Sequence, residues 1–176
     1  STPGRIVEKT QAIATIVIDT LAESGLQINL GPHKTATMIQ FRGSGSRAAK
    51  QDLMIHNHGM IHIDTSLAGP IDIPVVQRYK HMGGIAHYTG KMLPEVLHRV
   101  SDARQQFIPL RPKIFASAKV QMEPKVILTE SLICSGLLYK AATWSALEQS
   151  AQTVLWHFMM MLYRTITGTI IHKHST

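Results

Sequence analysis

The residue types best suited to binding phosphate lie close together near the middle of the chain. Arg78, Lys80 and His81 offer positive charge and hydrogen-bond donors to phosphate oxygens. Gly83 and Gly84 have no Cβ, so the backbone there can come close to a sugar-phosphate chain. This combination predicts a turn that contacts phosphate. The alternative is an ordinary two-glycine hairpin turn with solvated charges.

The charge balance of the whole chain also favours a polyanionic partner. Its 176 residues include 18 Lys and Arg against 11 Asp and Glu, which gives a net charge of +7 and a pI near 9.8. Basic surface gains affinity for nucleic acid by releasing phosphate counterions. The alternative is a basic protein without such a partner. Hydrophobic residues make up 44% of the chain, enough for the core of one domain or two small ones.

A single cysteine, Cys134, excludes a disulfide within the chain and a cysteine-rich zinc site. Its neighbours Leu132 and Ile133 predict a core position, where cysteine behaves as a small hydrophobe. We therefore expect a reducing, intracellular compartment. Because the sequence begins at Ser1 without an initiator Met, we expect a fragment or a processed product.

The histidines are the residues that could form a metal site. His56, His58 and His62 would share one face of a strand, with Asp64 nearby. A zinc site needs three or four converging N, S or O ligands, and Gly59 interrupts the strand that would align them. We predict no metal site in this chain.

The first half of the chain has the pattern of an α+β segment. A helix is predicted from Pro3 to a stop at Gly25, with an apolar stripe at Ile13, Ile16, Val17 and Leu21. Two short strands are predicted at 26–30 and 35–41, on either side of a turn at Gly31 and Pro32. The other predicted elements are a helix at 47–53, strands at 60–63 and 71–79, and a strand at 85–88 that completes a hairpin.

After Gly90 the apolar residues recur at helical spacing and predict three helices. The second helix begins at Pro124 and is apolar over much of its circumference, so we expect it to be central. The third follows Ser145 and Glu148, which have the spacing of a capping box. The positions predicted to be buried are Leu97, Leu128, Ile133, Leu138, Leu155 and Phe158.

The most apolar stretch of the chain, 154–171, also contains His157, Arg164 and several threonines. A transmembrane helix needs about 20 predominantly apolar residues. We interpret the stretch as a buried amphipathic helix and predict no membrane span.

The sequence AESGLQIN at 22–29 is followed by Lys34 and Thr35. It is similar to motif D of non-LTR (LINE-type) retrotransposon reverse transcriptases, and it is the first of four segments that, in this order, resemble the C-terminal palm segment and thumb of that family. The sequence VQRYKHMGG at 76–84 is similar to motif E. The third segment, 93–110, resembles the first thumb helix. The fourth, SGLLYKAATW at 135–144, resembles the family's "LLYG-x-x-TW", and a helix ending LYRTITG at 162–168 follows it.

The resemblance implies a palm edge at 1–90, with a small antiparallel sheet and a helix, and a thumb-like three-helix bundle at 91–176. It further implies the nucleic-acid-binding portion of an RNA-directed DNA polymerase, whose hairpin grips the template-primer duplex. Lys34 would be an assisting general acid near the triphosphate, where a cation stabilises developing charge. Arg99 and Arg104 lie off the apolar stripe and are expected to face outward. The implied nucleic-acid-binding residues are Lys34, Arg78, Tyr79, Lys80, His81, Gly83, Gly84, Arg99 and Arg104.

The family's catalytic aspartates are absent from this sequence. Nucleotidyl transfer needs carboxylates that hold two divalent metals, and the family carries an Asp-Asp pair before motif D. No two of the aspartates here are adjacent: they are Asp19, Asp52, Asp64, Asp72 and Asp102. We therefore expect the chain to be catalytically incomplete and to bind no cofactor, because Mg²⁺ would belong to the missing motifs.

Two functional hypotheses follow. In the first, the chain grips an RNA or DNA template-primer duplex and works with a catalytic polymerase segment or other protein subunits. It would belong to a nuclear or cytoplasmic ribonucleoprotein. In the second, the chain is a non-enzymatic, basic structural subunit of a larger assembly, either derived from a retroelement or only resembling one.

Overall fold

The computed structural model describes residues 3–31 and 34–168, so Pro32 of the predicted turn lies outside the described residues. The protein has an α+β fold and divides into two compact units, Ser1–Gly90 and Lys91–Thr176. The first unit contains α1 (Pro3–Glu23), α2 (Ser46–Gln51), a π-helical extension (Asp52–His56), and strands β1 (Met60–Thr65), β2 (Gly69–Pro74), β3 (Arg78–His81) and β4 (Gly84–His87). The second contains α3 (Leu93–Leu110), a π-helical extension (Arg111–Phe115), α4 (Met122–Leu128), a π-helical segment (Thr129–Cys134), α5 (Ser135–Leu137), a 3-10 turn (Ala141–Thr143) and α6 (Gln149–Thr167).

The alternation of isoleucines builds the β1–β2 hairpin. Ile61 lies opposite Ile73, and Ile63 lies opposite Ile71, in an antiparallel register. All four side chains are buried because alternate residues of a strand share one face. The core of the first unit is completed by Ile18, Ile39 and Leu53.

Two of the predicted strands do not form. Residues 26–30 contain no strand, and 35–41 make only an isolated parallel bridge between Thr37 and Val75. The prediction of one strand at 71–79 was also wrong, because the segment divides into β2 and β3. Pro74, the last residue of β2, has no N–H to donate to a ladder, and its carbonyl instead accepts the N–H of Thr37 at 2.9 Å.

Helix α1 begins and ends as predicted, with Gly25 in the left-handed region at φ 73°, but it buries a different face. Ile13 and Ile16 of the predicted stripe are 63% and 65% exposed, while Ile18 is buried. The face of α1 that packs against β1 includes polar side chains that form hydrogen bonds with backbone groups at the edge of the strand. The contacts with β1 therefore determine which face of α1 is buried, and this is not its most apolar face.

Three polar side chains of α1, four residues apart, bind the free edge of β1 and the turn after it. Gln11 Nε2 donates to the carbonyl of His62 at 2.9 Å, and Thr15 Oγ1 donates to the carbonyl of Asp64 at 3.4 Å. The carboxylate of Asp19 accepts the N–H groups of Ser66 at 3.1 Å and Leu67 at 3.3 Å. Residues at i, i+4 and i+8 share a helix face, so α1 covers backbone groups that an edge strand leaves unpaired.

Three helical segments pack around one core in the second unit. Val96, Val100, Ala103 and Phe107 of α3 are buried at helical spacing. The π-helical extension of α3 brings Phe115 against Phe107, with the ring centroids 5.1 Å apart. Both rings are fully buried, so this pair is central to the core.

The burial predictions for this unit are partly correct. Ile133 and Phe158 are fully buried, and Leu128 and Leu155 are half-buried against the core. Leu97 and Leu138 are each 49% exposed, so those two predictions were wrong. On α3 the cause is a rotation of the buried face, which takes in the charged residue Arg99 and leaves Leu97 outside.

The α4–α5 stretch was predicted to be central and instead lies at the surface of its unit. Its buried residues recur every fourth position, at Lys125, Thr129, Ile133 and Leu137, a spacing that the wide π-helical turns permit. Its outer face exposes Met122, Val126, Ile127, Leu132 and Leu138.

The same stretch is the one place, within the described ranges, where a helix is long and apolar enough to cross a membrane. The stretch is Met122–Thr143, and 11% of its most apolar 18 residues are buried. Length and composition alone are weak evidence for a span, because apolar helices that cross no membrane can have the same length and composition. The finding identifies no clear membrane span.

Glu148 stabilises the start of α3 and does not form the predicted capping box. Its carboxylate accepts the N–H of Leu93 at 2.9 Å and the N–H of Met92 at 3.2 Å. Helix α6 begins at Gln149 without a side-chain cap. A hydrogen bond from its own backbone N–H lowers the pKa of Glu148, and those from Leu93 and Met92 lower it further.

Candidate nucleic-acid interface

Strands β3 and β4 form the predicted hairpin, with a turn one residue earlier than expected. Arg78 pairs with His87 and His81 pairs with Gly84 in the register. Met82 and Gly83 occupy the turn with φ of 47° and 78°, as a two-residue type I′ turn requires. Gly83 is exposed at the turn, whereas Gly84 is buried in β4. The prediction that both glycines form the turn is thus corrected for Gly84.

The alternation of β3 separates its cations from its aromatic rings. Arg78 and Lys80 are exposed on one face. Tyr79 and His81 lie on the other face, where their rings stack with centroids 6.3 Å apart. Among the residues that the structure describes, neither Arg78 nor Lys80 makes an ion pair or a side-chain hydrogen bond. Both cations are available to an anionic partner.

A hydrogen bond joins the hairpin to the loop that carries Lys34. The hydroxyl of Tyr79 donates to the backbone carbonyl of Lys34, 45 residues earlier in the sequence. The two segments that the sequence singled out, around 34 and around 80, are therefore neighbours in space. The Lys34 side chain itself is exposed.

Asn29 shapes the Lys34 loop, and the sequence analysis did not give it this role. Its side-chain Oδ1 accepts the N–H of Gly31 at 2.9 Å, and its carbonyl accepts the hydroxyl of Thr35 at 2.7 Å. The first of these bonds is an Asx turn, which the spacing of Asn29 and Gly31 could have indicated. The loop is thus held from both ends, by Asn29 and by Tyr79.

Arg99 does not belong to an exposed surface, which corrects the expectation that it faces outward. It is 6% exposed, and its Nε lies 2.8 Å from Oε1 of Glu95, which is 3% exposed. Its guanidinium also lies over the ring of Tyr139, 4.7 Å from the centroid. Buried charges need such partners, so Arg99 is a structural residue of the second unit.

Arg104 is exposed, as expected. Its guanidinium lies 5.8 Å from the centroid of the buried Phe158 ring and covers it. The guanidinium therefore contacts both solvent and the Phe158 ring.

The aspartates and histidines do not converge on a metal site in residues 3–31 and 34–168, where no group of three or more His, Cys, Asp or Glu could hold an ion. His62 pairs instead with Asp72 across the β1–β2 hairpin, and Asp19 binds the turn that follows β1. His56 lies on the π-helical extension and His58 in the turn that follows it, so neither shares the strand β1 with His62. His62, Asp72 and Asp19 thus have structural contacts that their residue types alone did not indicate.

Two further cations, Arg47 and Lys50, line a cavity that the sequence analysis missed. It predicted a helix at 47–53, and α2 with its π-helical extension occupies this region. The i, i+3 spacing of the two cations places them on one helix face, but which surface that face meets depends on the fold.

The chain matches no protein-family model, no curated protein and no solved structure. The hairpin, the Lys34 loop and the charges that they carry are therefore the features that bear on its function.

Proposed function

We propose that this chain is the nucleic-acid-binding portion of an RNA-directed DNA polymerase and that it grips a template-primer duplex through the β3–β4 hairpin. Its resemblance to non-LTR reverse transcriptases supplies the type of polymerase. On this proposal Arg78 and Lys80 contact phosphates, and Gly83 allows the backbone of the turn to approach the strand.

The observation that carries the proposal is the hydrogen bond between the Tyr79 hydroxyl and the Lys34 carbonyl. The resemblance concerned two separate stretches of sequence, one with Lys34 and one with Arg78 and Lys80. A duplex end near the hairpin would also be near the loop of Lys34. This adjacency is what one binding site for primer and incoming nucleotide requires.

The electrostatics are consistent with this role. Exposed cations without carboxylate partners keep their full attraction for phosphate, whereas a paired cation must first lose its partner. Across the chain the net charge is +7, which adds long-range attraction to a polyanion. The resulting binding would have little sequence dependence, because phosphate contacts carry no base information.

The proposal assigns binding to this chain and chemistry to another segment. Two-metal catalysis needs clustered carboxylates, and the aspartates of this sequence are not adjacent. We expect no primer extension by the purified chain with Mg²⁺ or Mn²⁺, in an assay with labelled primer on an RNA template. Nucleotide incorporation that survives repeated purification would contradict the assignment.

A salt titration of duplex binding tests the hairpin directly. Arg78→Ala/Lys80→Ala removes two phosphate contacts, so the slope of log affinity against log salt should become shallower by about 1.8. Between 50 and 200 mM salt, wild type should then lose about 12-fold more affinity than the variant, because each contact accounts for about 3.5-fold. Fluorescence anisotropy with an RNA–DNA duplex measures both curves.

The matched control is Arg5→Ala/Arg42→Ala, which removes the same charge from exposed positions of the first unit outside the hairpin. It should leave the slope nearly unchanged. Equal slopes for wild type and the hairpin variant would refute the grip. Equal changes in the hairpin variant and the control would show that net charge alone drives binding.

A second candidate function is a structural subunit of a larger protein assembly, and the exposed apolar faces favour it. On α1, Ile13, Ile16 and Val17 are about half exposed or more. In the second unit, the outer face of α4 exposes Val126 and Ile127. Contiguous apolar surface of this kind marks protein interaction sites.

The two functions make different predictions for these faces. A subunit should lose its partner when Ile13→Glu/Ile16→Glu places charge on the α1 face, while duplex affinity stays at the wild-type value. Size-exclusion chromatography with light scattering measures assembly, and the anisotropy assay measures duplex binding. A face that tolerates both charges without any change in assembly would argue against the subunit role.

A further inference from the structure

The first unit contains a cavity of about 280 Å³ whose lining combines an apolar floor with a cationic rim. Ile39 and Leu53 are buried and form part of the floor, beside Val75. Arg47 and Lys50 are exposed at the rim. No carboxylate is among the described residues that line it.

The two rim cations lie on one face of α2, three residues apart. Like charges at this spacing repel each other and destabilise a helix. Neither Arg47 nor Lys50 pairs with a carboxylate anywhere in 3–31 or 34–168. Lys50 Nζ lies 5.9 Å from the centroid of the Tyr88 ring, which directs this cation toward the wall of the cavity. An anion between the two cations would remove their repulsion.

The rest of the lining suits a ring-sized apolar body. Phe41, Met54 and Tyr88 line the walls and offer the ring-stacking and sulfur–aromatic contacts that favour aromatic groups. A cavity of about 150 Å³ holds benzene, so 280 Å³ leaves room for a head group as well. The hydroxyl of Ser46 and the amide of Gln77 add polar contacts at the edge.

We infer that this cavity binds a small amphipathic anion, in which an aromatic or similarly sized apolar body carries one phosphate or carboxylate group. The body occupies the floor formed by Ile39, Leu53 and Val75, and the head group lies between Arg47 and Lys50. Neither Arg78 nor Lys80 is among the described residues that line the cavity, and the inference does not depend on the proposed grip of a duplex.

Methyl NMR on the full chain tests the site with phenyl phosphate and benzoate as probes. Either probe should shift the methyl signals of Ile39, Leu53 and Val75, and the tighter probe identifies the preferred head group. Benzyl alcohol keeps the ring without the charge, and inorganic phosphate keeps the charge without the ring. Benzyl alcohol should bind at least about tenfold more weakly, since a charge-assisted contact is worth a factor of this order. Inorganic phosphate should also bind at least about tenfold more weakly, because it buries no apolar body in the cavity.

Arg47→Gln/Lys50→Gln should weaken the tighter probe at least about tenfold and leave benzyl alcohol binding within twofold. Arg5→Gln/Arg42→Gln is the control of equal charge and should leave both affinities within twofold. Arg78→Ala/Lys80→Ala should also leave the probe affinity unchanged, which separates this site from the duplex grip. The inference is overturned if neither aryl anion shifts these methyls. It is also overturned if the Arg47→Gln/Lys50→Gln variant binds the anions as tightly as wild type.

Discussion

Replacing Arg99 with Met should destabilise the second unit strongly, because it breaks the buried ion pair with Glu95. Arg99 Nε and Glu95 Oε1 are 2.8 Å apart, and both residues are under a tenth exposed. Removing one member of a buried pair costs about 3–5 kcal/mol. The contact between the guanidinium and the Tyr139 ring is lost as well, which keeps the expected cost in the upper part of that range.

The double variant Arg99→Met/Glu95→Leu separates a buried pair from an ordinary packing loss. Replacing both members with apolar residues of similar volume is often neutral or stabilising, so this variant should recover most of the lost stability. Arg104→Met is the control, because it removes an exposed cation from the same helix. It should change the free energy of unfolding by about 1 kcal/mol or less.

Urea denaturation followed by circular dichroism measures the free energy of unfolding of all three variants. The reasoning about Arg99 is refuted if Arg99→Met costs less than about 1 kcal/mol, because breaking a buried ion pair costs more. It is also refuted if Arg99→Met reduces the salt slope of duplex binding as Arg78→Ala does. That outcome would return Arg99 to the nucleic-acid surface.

Two further predictions concern the second unit. Phe107→Ala should lower the free energy of unfolding by about 3–5 kcal/mol, because the ring is fully buried and stacked on Phe115. The neighbouring Ile108 is 62% exposed, so Ile108→Ala should cost about 0.5 kcal/mol or less in the same urea assay. Equal costs would contradict the assigned helix face. Glu148→Gln should destabilise at neutral pH and lose its effect in acid, because the folded protein lowers the pKa of Glu148. The stabilisation is present above the ordinary Glu pKa of about 4.3 and is lost as the pH falls through the lower pKa of the folded protein. The melting temperatures of wild type and Glu148→Gln, measured from pH 3 to 7, should therefore converge at the acidic end. A difference in melting temperature that stays constant with pH would contradict the carboxylate's role.

The exposed apolar faces bear on both proposed functions. A polymerase segment that joins other segments and a subunit that joins other proteins would each cover surfaces like the one at Ile13 and Ile16. Their exposure therefore favours a protein partner, which the subunit role requires and the polymerase role permits. The hairpin cations distinguish the two roles. Only the duplex-binding role predicts that Arg78 and Lys80 contribute to the salt dependence of duplex affinity.

The elements whose signals are local could be predicted from the sequence alone. Pro3 and Gly25 delimit α1 through their backbone preferences, and the alternation around Lys80 with a following glycine specifies the β3–β4 hairpin. Helical spacing of apolar residues located α3 and α6. The sequence also indicated the exposed cations of the hairpin, because alternation in a strand fixes which side chains share a face.

The tertiary structure decided which surfaces these elements bury and which of their charges meet solvent. Gln11 and Asp19 of α1 face inward because β1 and the turn after it present unpaired backbone groups. The sequence pattern of the helix does not indicate those groups, because they belong to another element. Arg99 is buried because Glu95 and Tyr139 surround it, and Tyr139 lies on a distant segment of the chain. The bond from Tyr79 to Lys34 likewise joins residues that no local pattern relates. Periodicity reports which face of an element is apolar, but the neighbouring elements determine which face is buried.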